Sequence, residues 1–197
     1  VRSDNPLTGT MRIRSILNDR PDMLWICSNV GLFQYSVRSN TLSQVVMSSA
    51  QPNDNIYASL KDKEGGIWIG TYFQGAYYLS PKARQIECYT TGSTGGGLKG
   101  SAISTFCEDE HGKIYIGSEN GGLSVFDPIS RKFMKSPVET GPGNFHALCI
   151  NSDHIYIGSY SKGLFKASLT TGSSRRFSRT SHPALLSDNI FSLFRSS

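Results

Sequence analysis

The sequence has few charged residues, no cysteine motif and no long apolar segment. Charged side chains make up 18% of the 197 residues, and no Lys/Arg-rich run occurs. The net charge of +5 is spread along the chain, which argues against a nucleic-acid-binding protein. Because no stretch of about 18 apolar residues exists, the sequence predicts no membrane-spanning helix. No signal peptide is visible at the first residues either.

The four cysteines and four histidines form no metal-binding or catalytic motif. Cys107 and Cys149 share one position of the repeat described below, where other copies carry Leu or Phe, so we expect small buried apolar side chains there. No histidines are spaced like metal ligands. The glycine-rich segment 92–97 lacks the Gly-Lys-Ser/Thr of a phosphate loop. The sequence therefore predicts no metal and no cofactor.

What the sequence does contain is one pattern, repeated four times. An aromatic residue is followed by Ile, a small residue and a hydroxyl, and then by a short loop that ends in Gly. The aromatic residues are Trp25, Trp68, Tyr115 and Tyr156, with separations of 43, 47 and 41 residues. A period of this length is typical of β-propeller blades, which have four strands each.

Each copy divides into four short strands separated by turns rich in Gly, Asn and Asp. We therefore predict an all-β fold, a β-propeller fragment of about four four-stranded antiparallel blades. The predicted blades are residues 13–46, 56–89, 103–134 and 145–177, and the first strand of a fifth blade begins at 189. We expect both ends to belong to a longer array. Because an open arc leaves blade faces and a strand uncovered, we also expect self-association through the open blade edges.

Two copies carry further residues around the aromatic strand. The second copy has Asp62 and Gly65 before Trp68, and the third has Asp109 and Gly112 before Tyr115. With the preceding Ile-x-x-x-Leu or Ile-x-x-x-Cys strand and the following Gly, this pattern closely resembles the two-component regulator propeller repeat. The resemblance covers nearly the whole chain. The sequence departs from the family pattern at Tyr115 and Tyr156, which replace Trp, and in the shortened first turn of the fourth copy.

The resemblance implies a piece of the periplasmic input region of a hybrid two-component sensor. In such proteins the extracytoplasmic propellers precede an inner-membrane span and a histidine kinase, and many respond to oligosaccharides. On this basis we expect a non-catalytic ligand-sensing fragment, an oligosaccharide ligand, and the rest of the propeller and sensor as partners. Two alternatives remain open: a protein-interaction or dimerisation scaffold without its own ligand, and a propeller hydrolase or lyase acting on glycans.

The candidate ligand-binding residues lie in the loops between second and third strands. In a propeller these loops share one face with the links that enter the first strands, and they differ between copies while the strands agree. Aromatic rings beside amide and charged groups suit a sugar, because a ring stacks on its apolar face while polar groups bind its hydroxyls. We predict ligand contacts from Tyr72, Phe73, Gln74, Glu119, Asn120, Tyr160 and Lys162. Ordinary loop residues or contacts to another domain are the alternative, and Thr71, Ser118 and Ser159 are expected to be structural hydroxyls.

Overall fold

The structure, a computed structural model, describes residues 10–47, 55–82, 86–92 and 97–195. These residues form four antiparallel sheets of four strands each, and they contain no helix. In every sheet the strands follow one another in chain order, so that each is a simple meander. The all-β propeller architecture predicted from the repeat is therefore confirmed. No described segment forms a helix long and apolar enough to cross a membrane.

Sixteen strands make up the four blades. The first blade contains β1 (Ile13–Arg20), β2 (Met23–Ser28), β3 (Gly31–Ser36) and β4 (Thr41–Val45). The second contains β5 (Ile56–Lys61), β6 (Ile67–Thr71), β7 (Ala76–Leu79) and β8 (Ile86–Tyr89). The third contains β9 (Ile103–Glu108), β10 (Ile114–Ser118), β11 (Gly122–Asp127) and β12 (Lys132–Met134). The fourth contains β13 (Phe145–Asn151), β14 (His154–Ser159), β15 (Leu164–Ser168) and β16 (Ser174–Phe177).

The first strands of the blades lie next to one another along the inner side of the arc. β5 contacts β1 on one side and β9 on the other, and β9 contacts β13. Polar contacts join neighbouring first strands: the hydroxyls of Ser15 and Ser59 are 2.9 Å apart, and Lys61 Nζ lies 2.9 Å from Asp19 Oδ1. Because the first strands meet along this inner side, residues at equivalent repeat positions come close together.

The hydrophobic core consists of three clusters, each between two consecutive blades. Side chains of one strand alternate between the two faces of its sheet, so the second strands supply both neighbouring clusters. Trp68 packs toward the third blade, whereas Ile67 and Ile69 pack toward the first. Trp68 is fully buried, and its ring centroid lies 5.2 Å from that of Phe126 and 6.2 Å from that of Phe106. The repeated aromatic residue therefore joins one blade to the next.

A buried aspartate fixes the turn before this aromatic strand. Asp62 Oδ2 accepts a 3.1 Å hydrogen bond from Trp68 Nε1, and its Oδ1 accepts a 2.6 Å bond from the Gly66 N–H. Only 6% of Asp62 is exposed, so its negative charge depends on these donors. The carboxylate is thus a structural anchor of the repeat.

The residues predicted to begin a fifth blade lie beside Gly158 and Ser159, and among the described residues they pair with no strand. A side chain added at Gly158 would lie 2.6 Å from Ile190 Cγ2, as one added at Gly70 would lie 2.7 Å from Ile103 Cγ2. Ile190 also donates its N–H to Ser159 O at 2.9 Å. Residues 190–195 nevertheless form no strand, and no strand among the described residues pairs with them.

Candidate functional site

Every described first strand has a β-bulge at its second residue. In the β1–β2, β5–β6, β9–β10 and β13–β14 pairings one residue of the first strand is passed over. A bulge leaves its extra residue outside the ladder and redirects its side chain, and bulges are common next to functional sites. The bulged residues are Arg14, Tyr57, Ser104 and His146.

The loops between second and third strands lie against these bulges. In each blade the first loop residue donates its N–H to the carbonyl of the residue that precedes the first strand. The donor–acceptor distances are 2.9 Å from Tyr72, Glu119 and Tyr160, and 3.2 Å from Asn29. We call the bulged residues together with loop residues 29–30, 72–74, 119–121 and 160–162 the rim.

The hydroxyls that precede the loops have the structural role expected of them. Thr71 Oγ1 donates to Gly75 O at 2.8 Å and accepts a bond from the Gln74 N–H at 3.1 Å. Ser118 and Ser159 donate in the same way to the glycine that ends their loop, at 3.1 and 2.9 Å. Because all three hydroxyls are buried and bonded within the loop, they are not offered to a ligand.

One half of the rim is a stack of aromatic rings with a cation at its end. The rings of Tyr57 and Tyr72 are stacked, with centroids 5.0 Å apart and an angle of 15° between the planes. The Phe73 centroid lies 4.3 Å from that of Tyr72, and the guanidinium carbon of Arg14 lies 4.7 Å from the centroid of Tyr57. We call these four residues the aromatic ladder. It combines two sequence-predicted residues with two bulged residues.

Phe73 is the most unusual member of the aromatic ladder. Its φ is +74°, in the left-handed region that side chains other than Gly, Asn and Asp rarely adopt. Its ring is also 58% exposed, so that burial does not compensate for the strained backbone. The equivalent residue of the fourth-blade loop, Ser161, has a φ of +70°, so the left-handed conformation belongs to the loop geometry, and Phe73 is distinguished by placing an exposed aromatic ring there.

The other half of the rim gathers polar and aromatic groups around His146. Its Nδ1 lies 3.7 Å from Glu119 Oε1, and its ring centroid lies 6.2 Å from that of Tyr160 and 5.3 Å from that of Phe191. Tyr160 and Phe191 are 47% and 61% exposed. We call these four residues the histidine cluster. Between it and the aromatic ladder lies Ser104, a small residue whose hydroxyl is bonded to Gly117 O and Phe145 O.

The remaining predicted residues lie in the loops but mainly bond to their own backbone surroundings. Asn120 Oδ1 accepts bonds from the N–H groups of Ser101 and Ala102, at 3.1 and 3.2 Å. Lys162 Nζ donates to Pro142 O at 3.1 Å, and Gln74 is half-buried at the base of its loop. Their side chains are therefore placed to shape the loops, while ligand contact by any of the seven stays a prediction.

Sequence reasoning missed the bulged residues of the rim. In the sequence Tyr57, Arg14 and His146 lie within predicted first strands, and the pattern predicts no ligand contact for them. One signal was available, because this repeat position varies (Arg14, Tyr57, Ser104, His146, Phe191) while the position before it carries Ile or Phe in every copy.

A cavity of about 580 Å³ lies between the third and fourth blades, at the turns on the opposite face. Three carboxylates line it: Asp109 and Asp153 are bonded within the protein, whereas Glu110 is exposed, with its Oε1 3.6 Å from His111 Nε2. Asp109 Oδ1 accepts bonds from the N–H groups of His111 and Lys113, each at 2.9 Å. Hydrogen bonds from Thr170 and Ser168 to Asp153 hold the pKa of that carboxyl below its ordinary value. Two of the three carboxylates of this cavity are thus already bonded within the protein, whereas the rim is distinguished by its exposed aromatic rings.

Cys27 and Cys107 are buried thiols of low reactivity. Burial raises the pKa of Cys27 and of Cys107 to about 11, which keeps both as neutral thiols. Both side chains pack in or against the clusters between blades. This agrees with the prediction that the repeat-position cysteine acts as a small apolar residue.

Comparison with known proteins supports the repeat assignment. The family model of the two component regulator propeller matches residues 50–73 and 97–120, which confirms the predicted resemblance for the second and third repeats. No curated protein matches the sequence.

Solved propeller structures resemble the whole arc. An extracellular domain from B. thetaiotaomicron, described as part of a one component system, superposes with a TM-score of 0.77 at 19% identity, over 97% of this chain and 26% of its own. An extracellular domain of a B. thetaiotaomicron protein described as a hybrid two component system gives a TM-score of 0.74 at 16% identity, over 93% and 24%. A virginiamycin B lyase from Staphylococcus aureus gives 0.67 at 12% identity, over 88% and 57%. The chain thus spans about a quarter of the length of the two sensor domains.

Proposed function

We propose that this chain, whose second and third repeats match the two component regulator propeller model, is an oligosaccharide-sensing part of a periplasmic sensor region. The full protein would pass the signal through the inner membrane to a histidine kinase. The similarity to extracellular domains of one and hybrid two component systems supports a sensing role. The single observation that supports a sugar ligand is the aromatic ladder on the loop face.

The aromatic ladder suits a saccharide for a physical reason. The C–H face of a sugar ring packs on an aromatic ring, while its hydroxyls need hydrogen-bonding groups at the edge. Phe73 supplies an exposed ring, and the Tyr72 ring beside it is held by its stack on Tyr57. A ring that is already fixed loses little side-chain entropy when a ligand binds. The aromatic ladder is therefore preorganised for stacking.

Calorimetric titration of the 197-residue chain with a panel of oligosaccharides tests the proposal. We expect one or more members of the panel to bind, and Tyr72→Ala to weaken that binding by about tenfold, equivalent to about 1.4 kcal/mol. Tyr35→Ala is the matched control, because Tyr35 bonds to Asn40 in the turn on the opposite face. Equal affinity of wild type and Tyr72→Ala would remove the aromatic ladder from the proposed site.

A scaffold function is the second candidate, and the ends of the arc favour it. Ile13 and Ile16 on the first blade are 54% and 58% exposed, and Phe194 near the other end is 90% exposed. Apolar groups of this kind mark contact surfaces. Failure of every oligosaccharide to bind, together with concentration-dependent dimerisation in light scattering, would favour the scaffold. Turnover of the sugars would favour a hydrolase or lyase.

A further inference from the structure

Arg14 is the charged group of the rim without a polar partner. The rim carries three other ionisable side chains besides tyrosine: Glu119, His146 and Lys162. Glu119 Oε1 and His146 Nδ1 lie 3.7 Å apart, and Lys162 donates to a carbonyl. Among the described residues, Arg14 has neither a hydrogen-bond acceptor nor an acidic partner for its guanidinium, and the side chain is exposed.

The position of this guanidinium is nevertheless fixed. Its carbon lies 4.7 Å from the centroid of Tyr57, whose ring is held from its other side by Tyr72 at 5.0 Å. A cation–π contact restrains the arginine without using its N–H donors. Arginine presents five such donors in a fork that matches the two oxygens of a carboxylate or sulfate. Arg14 is therefore a preorganised donor group that lacks its acceptor.

The net charge of the rim favours the same kind of ligand. Arg14 and Lys162 are positive and Glu119 is the acidic residue of the rim, so the balance is positive even with His146 neutral. A positive site attracts anions and raises their local concentration. A neutral sugar would leave the guanidinium unpaired, since its hydroxyls are weaker acceptors than an ionised group.

We propose that Arg14 makes the site selective for acidic oligosaccharides, those that carry a carboxylate or a sulfate group. The proposal rests on the proposed oligosaccharide function and specifies its substrate class. Arg14 and Phe73 lie at opposite ends of the aromatic ladder. The acidic group and the stacked ring therefore belong to different sugar units of one ligand, which makes a disaccharide the smallest suitable probe.

The test compares matched disaccharides by calorimetric titration: galactobiose, its uronic acid counterpart digalacturonate, and a sulfated galactobiose. Wild type is expected to bind at least one of the acidic probes about tenfold or more tightly than galactobiose. The digalacturonate and sulfate arms distinguish a carboxylate from a sulfate as the recognised group. Arg14→Gln should reduce the preference to near unity, and Arg14→Lys should restore only part of it because an ammonium cannot bind in the bidentate manner.

Two controls keep the outcomes distinct. Arg38→Gln removes an exposed cation from the turn between β3 and β4, at the end of the first blade opposite the rim, and should leave the preference intact. Arg14 is exposed, so the melting temperature of Arg14→Gln should match that of wild type. Equal wild-type affinity for neutral and acidic probes, or an unchanged preference in Arg14→Gln, would overturn this inference and leave the oligosaccharide function standing. Absence of binding by all three probes and by the wider panel would overturn both.

Discussion

The backbone of Phe73 gives a stability prediction that is opposite to the usual rule. At ordinary positions alanine is more favourable than glycine by about 0.5–1 kcal/mol, because glycine has more conformational freedom to lose on folding. At Phe73, with φ of +74°, any residue with a Cβ is strained by about 1–2 kcal/mol. The strain exceeds the entropy term, so Phe73→Gly should be more stable than Phe73→Ala by about 0.5–1 kcal/mol.

The stability of both variants relative to wild type follows from the strain and the lost ring contact. Either change loses the ring contact with Tyr72, which is worth about 0.5–1.5 kcal/mol for an aromatic pair. Phe73→Ala keeps the strain and should be destabilised by about that amount. Phe73→Gly releases the strain and should lie close to wild type in stability. Both should lose oligosaccharide affinity to the same extent, since both lack the ring.

Urea unfolding measures this order through the midpoint and the extrapolated free energy of unfolding. Lys162 provides the matched control position, because it lies in the corresponding loop of the fourth blade with an ordinary negative φ. There the glycine variant should be less stable than the alanine variant. If the alanine variant is as stable as the glycine variant at residue 73, the backbone there is not strained.

Three further predictions concern the scaffold. Asp62→Ala should lower the free energy of unfolding by about 2–4 kcal/mol, measured in urea, because two buried donors lose their acceptor. Gly70→Ala should be destabilised by about 1–3 kcal/mol through overpacking, and Gly158→Ala by less, because the segment next to Gly158 has no strand pairing and can move aside. The hydrogen bond from Arg131 holds the pKa of Glu87 below its ordinary value. The ion pair between Glu87 and Arg131 is partly exposed and should add about 0.5 kcal/mol to the free energy of unfolding. This contribution should be present above about pH 4.5 and lost as the pH falls through the lowered pKa of Glu87. Arg131→Gln should abolish that part of the pH dependence.

Each of these predictions has a contradicting result. An Asp62→Ala variant as stable as wild type would mean that water replaces the carboxylate. Equal losses for Gly70→Ala and Gly158→Ala would show that the C-terminal segment packs as firmly as a paired strand. An identical pH profile for wild type and Arg131→Gln would assign the acid sensitivity to other carboxylates.

The fold could be predicted from the sequence because the repeat has a physical cause. Blades that pack face to face place the same demands on every copy, so Trp68 recurs as Trp25, Tyr115 and Tyr156 at the same point of the second strand. Strand pairing cannot be predicted in the same way, because a strand forms only beside a second strand that completes its hydrogen bonds. Ile190 packs beside Gly158 as Ile103 packs beside Gly70, but residues 190–195 form no strand, and no described strand pairs with them.

Only part of the candidate site could be predicted from the sequence. Tyr72 and Phe73 follow directly after the repeated hydroxyl, where the copies begin to differ. The sequence therefore predicts them as candidate ligand contacts. Tyr57 and Arg14 lie inside strands, and a bulge that redirects one side chain has no compositional signature. The left-handed φ of Phe73 could not be predicted from the sequence either, because phenylalanine is rarely found in the left-handed region of φ/ψ space.

The most direct test of the central claim is to locate a bound oligosaccharide by NMR on the chain labelled at tyrosine and phenylalanine rings. The probe is the member of the panel that binds most tightly. A ligand at the rim should produce its largest ring shifts at Tyr57, Tyr72 and Phe73. The largest shift at Tyr115, which lines the cavity between the third and fourth blades on the opposite face, would contradict the account.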